Sequence, residues 1–366
     1  MIDQVWVERE AMEYPLTERI IKASNPARVL IGSQILEESA RVELAGDPFR
    51  RGKRILKLTR YRGSFVKPCP GTKTYICCGL NILNIGQGCP IDCRYCALQV
   101  YFNNPVMEVY VNLNEMFDEL RDFLDKAPED RFFRLCTGEF TDSLALDPYT
   151  GLAEQLLQLF SSRKNASLEF KTKSDFITPL LESNPHGNII ASFSMNAPSF
   201  SKTEEIRSSS LSQRLKAAAL AVSQGYRVGF HFDPIVPFDG WEKGYGETVD
   251  AIFTSVKPES IAWISMGVLR FVPELKDIVM SRFGPVTYFC DSFAPGLDGK
   301  ARLSRDRRIV IYKTIAERIR SYGENVLLYL CMESPLVWHE SLGLEMRSNE
   351  QLAGLLDEAA REYVSK

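Results

Sequence analysis

The stretch "GQGCPIDCRYCALQ", residues 86–99, decides how the rest of the chain is read. Cys89, Cys93 and Cys96 stand in a C-x3-C-x2-C spacing, in a loop opened by Gly86 and Gly88. Thiolates are soft ligands suited to iron–sulfur clusters and to zinc. A structural zinc site closes with four ligands, commonly from two knuckles of the C-x-x-C type. Here one triplet stands without a second knuckle, although Cys69, Cys77 or Cys78 offers a fourth sulfur. His186, His231 and His339 are all remote from the loop in sequence, so a Cys3His site is not suggested. Three thiolates on a four-iron cluster leave one iron open to a small ligand, which gives the missing fourth cysteine a chemical use. The bland alternative is three small buried residues, as free cysteines often are.

Outward from the loop, short apolar segments alternate with amphipathic ones. "NILNI" (81–85), "FFRLC" (132–136), "SLEFK" (167–171), "NIIASFS" (188–194), "RVGFHF" (227–232) and "IAWIS" (261–265) read as strands. Between them, "NEMFDELRDFLDK" sets Met116, Phe117, Leu120, Phe123 and Leu124 on one helical face. "SLSQRLKAAALAVSQG" has Ser210 as a predicted N-cap and Gly225 as a predicted stop. Repeated strand–helix units imply an α/β fold of parallel strands with right-handed crossovers, as a barrel, a partial barrel or an open sheet. In each of these, ligands bind beyond the C-terminal strand ends, where the cysteine loop falls. Three regions are expected: an irregular N-terminal region (1–80), a catalytic α/β core (81–275) and a small α/β extension (276–366). The first carries an amphipathic segment near 16–23 and the loop "KPCPGT"; the last a basic helix (303–321), a strand "NVLLYLC" and a final amphipathic helix.

The 366 residues are 45% hydrophobic and carry a net charge of −3, with a pI near 5.9. That balance excludes a generally basic nucleic-acid coat but allows a local basic face. Residues 50–67, "RRGKRILKLTRYRGSFVK", hold eight Lys/Arg and no acid, with Tyr61 and Phe65 interleaved. Lys300, Arg302, Arg305, Arg307 and Arg308 form a second cluster. Both are candidate phosphate contacts, with the aromatics as stacking platforms. Nine cysteines, an odd number, and an opening "MIDQVWVEREAMEYPL" with acids among its apolar residues argue against a disulfide framework and a signal peptide. No apolar run is long enough to span a bilayer, and a reducing cytoplasm is the expected location.

With an aromatic, Tyr95, just before the last cysteine, the triplet resembles the cluster signature of radical S-adenosylmethionine (SAM) enzymes. The likeness extends through "VWVEREAMEYPL", "MEVYVNL", "CTGEFTDSLALD", "FKTKSDF", "ASFSMN", "GYRVGFHFDPIVPFDGWEKGY" and "YLCMES", which together resemble the spore photoproduct lyase family, in its non-sporulating branch. The resemblance implies a partial (β/α)6-type barrel around a [4Fe–4S] cluster whose open iron chelates SAM. It implies cleavage to a 5′-deoxyadenosyl radical, DNA carrying a cross-linked thymine pair as substrate, and an electron donor such as ferredoxin or flavodoxin. It assigns cluster ligation to Cys89, Cys93 and Cys96, and an adenine contact to Tyr95. Glu139, in "TGE", would meet the SAM amino group and Lys173 its carboxylate, with Ser194 at the pocket and Asn196 beside it. Cys136 aligns with the cysteine that returns a hydrogen atom to the substrate radical.

Two departures stand against a simple transfer. The lyase has Tyr after the third cluster cysteine, where this chain has Ala97, and its Arg–Tyr pair has no counterpart in "PGLDGKARLSRDRRIVIYK". "YLCMES" also adds Cys331, a second thiol donor or a buried residue. A radical SAM enzyme acting on a nucleotide, RNA or peptide, and a zinc-binding nucleic-acid protein without catalysis, are the rival readings.

Overall fold

A computed structural model describes residues 2–72, 74–102, 104–128, 131–184 and 187–364; His186 lies outside them. At its centre is an eight-stranded curled sheet. Asn81–Leu83, Phe133–Cys136, Ala166–Thr172, Ile189–Ser194, Arg227–Ile235, Ile261–Val268 and Leu328–Leu330 run parallel in that order. Val66–Pro68 closes the near edge antiparallel to the first strand. The first six parallel strands are the predicted partial barrel. Helices cover its outside, so the strands are buried on both faces, and Ile261–Val268 is buried at every residue. Helix Leu211–Ser223 shows how local sequence fixes the cover: Ser210 and Gln213 form a capping box, and Gly225 turns the chain out at φ 97°.

The barrel interior is polar at one level. His231 Nε2 lies 2.7 Å from Glu169 Oε1, which also accepts from Trp263 Nε1 at 3.0 Å and from the Ser192 hydroxyl. Burial alone would raise the Glu169 carboxyl, but His231 and Ser192 hold it down to about 2.

The N-terminal region is more regular than expected. Arg28–Ile31, Gln4–Val7, Ile55–Thr59 and Met107–Tyr110 form a second parallel sheet, with Gly86–Gln87 antiparallel at its edge. Its strands are four or five residues long and their partners lie far apart in the chain, so no local alternation betrays them. Val5, Val7, Leu56, Leu58 and Val109 pack with Ile20 of helix Pro15–Ser24 into a core of their own. The tail, read as an extension, supplies the barrel's last strand. It also completes a three-stranded antiparallel sheet of Arg270–Phe271, Ala301–Leu303 and Phe293–Pro295 just past the sixth strand end.

Candidate functional site

A cavity of about 920 Å³ opens at the C-terminal strand ends. Cys89, Cys93 and Cys96 line one part of it; Asp233, Arg270 and Lys300 line another.

Long-range contacts hold the cysteine loop. Lys53 Nζ donates to the carbonyl oxygens of Cys89 and Ile91 at 2.8 and 2.7 Å. Asp92–Cys93 pairs antiparallel with Glu205–Ile206, and Arg282 clamps Asp92 at 3.0 Å. The Gln99 side chain donates to the carbonyls of Arg94 and Cys96 at 3.0 and 3.2 Å. All three thiols are free, and burial pushes Cys89 up to about 12 and Cys93 up as well. A cationic centre among them is what turns such buried thiols into thiolate ligands. Thiols on an iron–sulfur cubane each take a different iron, and three of them leave the fourth iron open, so the triplet fits such a cluster.

Tyr95, Lys173, Ser194 and Glu139 line the same cavity. The Tyr95 hydroxyl donates to Glu205, its ring stacks on Phe200 at 5.8 Å, and Lys173 Nζ lies 5.9 Å from the ring centroid. Burial would raise Glu205, yet fully buried Arg214, 2.6 Å away, and Lys173 hold it down to about 2. Asp142 accepts from Lys173 N at 2.8 Å and from Thr172 Oγ1 at 2.6 Å, tying the Glu139 loop to the third strand. Gly138 is required there: a Cβ would meet the Lys171 carbonyl oxygen at 2.7 Å and Ser143 Oγ at 2.8 Å.

Two expected site residues do not reach the cavity wall. Asn196 is buried, with its side chain engaged by Tyr245 at 2.6 Å and by the Pro234 carbonyl at 3.4 Å. It lies two residues past the end of the fourth strand at Ser194. Cys136 is fully buried beneath the Gly138 turn, whose N–H donates to its Sγ at 3.2 Å. Ala97 does line the cavity, and Tyr101, one helical turn on, lines it too and is 51% exposed.

Sequence reasoning missed the remaining charged wall. Lys171 lies 3.9 Å from Glu139, and Arg270 pairs with Asp233 at 3.2 Å while donating to Cys331 Sγ at 3.2 Å. Each of Lys171, Asp233 and Arg270 stands at or just past a strand end, and reading the C-terminal positions of every strand would have found them.

Most cations of the two basic runs have acidic partners within the protein. Arg51 pairs with Glu38, Arg54 with Asp3, Lys57 with Glu8, Arg60 with Glu115 and Arg62 with Glu10, at 3.0, 2.7, 2.7, 3.1 and 2.8 Å. Lys53 serves the cysteine loop, Tyr61 stacks on Tyr110, and Phe65 is buried. In the second cluster, Arg302 pairs with Asp298, Arg305 with Asp306 and buried Arg308 with Glu333. In the first run the acids come from distant parts of the chain, which a one-dimensional charge run conceals, whereas Asp298 and Asp306 lie within the second stretch itself.

A partial parallel barrel with a C-x3-C-x2-C loop after its first strand defines a radical SAM enzyme. The family model described as spore photoproduct lyase matches residues 1–289, and the chain belongs to that family. It is 26% identical over 290 residues to the spore photoproduct lyase of a Geobacillus species, covering 76% of this chain and 82% of that one. To the Bacillus subtilis enzyme it is 29% identical over 253 residues, covering 66% and 70%. A solved spore photoproduct lyase complexed with dinucleoside spore photoproduct superposes with a TM-score of 0.77 at 20% identity, over 90% of this chain and 99% of that one. A variant of that lyase with bound AdoMet and the same dinucleoside gives the same score and coverage.

Proposed function

We propose that this chain is a radical SAM lyase that returns a cross-linked thymine pair in DNA to two thymines. The carrying observation is the convergence of three free thiols with Lys173 and Glu139 on one cavity, in a chain of this family. Cys89, Cys93 and Cys96 would hold a [4Fe–4S] cluster, which supplies reductive cleavage of SAM to a 5′-deoxyadenosyl radical. Glu139 suits the SAM ammonium and Lys173 its carboxylate, and Tyr95 and Ser194, on the same cavity, would border the adenosyl group. Cys136 keeps a hydrogen atom on sulfur, because burial pushes its thiol pKa up, and stands one turn behind the wall. The volume lies toward the top of the range of roughly 300–1,000 Å³ for ligand pockets, room for a cofactor and a second ligand. The lyase solved with AdoMet and dinucleoside spore photoproduct together supports that reading. A low-potential donor such as ferredoxin or flavodoxin would reduce the cluster. The free cysteines agree with a reducing cytoplasm, and no helix of the described residues is long and apolar enough to cross a membrane.

The test is anaerobic. Reconstituted, dithionite-reduced protein receives SAM and the spore photoproduct dinucleotide, and thymidylyl-thymidine is followed by chromatography. Restored dinucleotide, lost in Cys93→Ala, is the expected result. 5′-Deoxyadenosine without restoration would retain the radical SAM class and overturn the substrate.

A further inference from the structure

The cavity wall carries four cations, and two of them are matched. Lys171 faces Glu139, and Arg270 faces Asp233 with both guanidinium nitrogens, at 3.2 and 3.3 Å. Lys173 and Lys300 have no carboxylate within ion-pair distance among the described residues. Lys173 stands beside the cluster thiols, where the carboxylate of SAM accounts for it. Lys300 also lines the cavity, at the turn of the hairpin Phe293–Pro295/Ala301–Leu303. Its ammonium touches only the Met332 sulfur, at 3.8 Å. The nearby Asp298 carboxylate is already engaged by Arg302, at 2.7 and 3.2 Å.

A half-buried ammonium beside a guanidinium is costly unless an anion joins it. Burial, and then the neighbouring Arg270 guanidinium, push the Lys300 pKa down, so its charged form gains from an added anion. With Asp233 and Asp298 already paired to Arg270 and Arg302, Lys300 is left to meet an anion brought by the ligand. On the reading of the substrate as a thymine pair, the bridging phosphodiester is its single formal charge. A lysine ammonium, compact and strongly charged, suits a phosphate oxygen.

We propose that Lys300 receives the bridging phosphodiester of the substrate, so that the chain selects a dinucleotide step over a pair of bare nucleosides. The inference rests on the lesion-repair reading and adds to it the anchor and the phosphate requirement.

Binding tests it without turnover. Unreduced, cluster-loaded protein with SAM is titrated with spore photoproduct dinucleotide, which has one phosphodiester, and with the dinucleoside, which has none. The dinucleotide is expected to bind roughly tenfold more tightly at low salt, with the gap closing as salt rises. Lys300→Gln should bring the dinucleotide to the dinucleoside's affinity and leave the dinucleoside and SAM affinities unchanged, and Lys300→Arg should keep most of the gap. Equal affinity of the native protein for both ligands, or a gap that survives Lys300→Gln, would overturn the phosphate anchor while sparing the lesion reading. If SAM binds and neither ligand does, the lesion reading fails and the anchor falls with it.

Discussion

Lys53 Nζ donates to the carbonyl oxygens of both Cys89 and Ile91, which makes a residue of the N-terminal basic run part of the cysteine loop. It is only 9% exposed and also lies 3.8 Å from Asp92. Lys53→Met would leave two buried carbonyls short of a donor, at roughly 1–3 kcal/mol. Asp92 would keep Arg282. The expected outcome is a folded protein that reconstitutes with less iron and weaker absorbance near 400 nm, measured against native protein and against Arg50→Met, an exposed neighbour on the same run.

The barrel strands were legible because a strand buried on both faces is a continuous apolar run, and a cysteine triplet with fixed spacing is local by nature. The N-terminal sheet was hidden because its strands are short and pair with segments some fifty residues away, as Lys57 pairs with Glu108. The charged wall was hidden for a related reason. Lys171 reads as an ordinary exposed lysine until Glu139 and Asp233 are brought beside it, and Arg62 reads as a free cation until Glu10 is. Side chains whose meaning depends on a partner distant in sequence carry no signal in one dimension.

Glu205 and Arg214 form an ion pair with neither side chain exposed, and the Tyr95 hydroxyl donates to the same carboxylate. In the folded chain the Glu205 carboxyl titrates at about 2 against an ordinary value of 4.5, so the unfolded chain takes up the proton first as pH falls. This stabilisation, on the order of 3 kcal/mol, is whole above about pH 4.5 and is lost between there and pH 2. Glu205→Gln strands a buried guanidinium and should cost about 3–5 kcal/mol at neutral pH, much of it recovered by adding Arg214→Met. Urea unfolding across pH 2–7 checks both. An acid limb unchanged in Glu205→Gln would assign the acid sensitivity to another carboxylate.

Arg51, Arg54, Lys57, Arg60 and Arg62 of the basic run are paired within the protein, so they should contribute little to binding DNA. Arg60→Ala and Arg62→Ala each remove one member of an exposed pair, worth about 0–1 kcal/mol to stability. Affinity for lesion-bearing duplex should change less than about twofold in each, and the slope of log K against log salt should stay unchanged. A phosphate contact would instead lower that slope by roughly one per residue removed. Fluorescence anisotropy from low to moderate salt distinguishes the two.

Two thiols stand just behind the cavity wall: Cys136 beneath the Gly138 turn, and Cys331 on the guanidinium of Arg270. Burial pushes both pKa values up, so each keeps its S–H bond at neutral pH, as a hydrogen-atom donor requires. The Cys136 sulfur is fixed by a backbone N–H of the loop that carries Glu139, whereas the Cys331 sulfur is held by an arginine already paired with Asp233. Cys136→Ala is therefore expected to cleave SAM to 5′-deoxyadenosine while clean thymine product gives way to by-products, and Cys331→Ala to retain the native product profile. Each truncation should cost roughly 1 kcal/mol, small enough for melting curves to confirm folded protein. Chromatography of both reactions decides between them, and an unaltered profile in Cys136→Ala with by-products in Cys331→Ala would move the hydrogen donor to the last barrel strand.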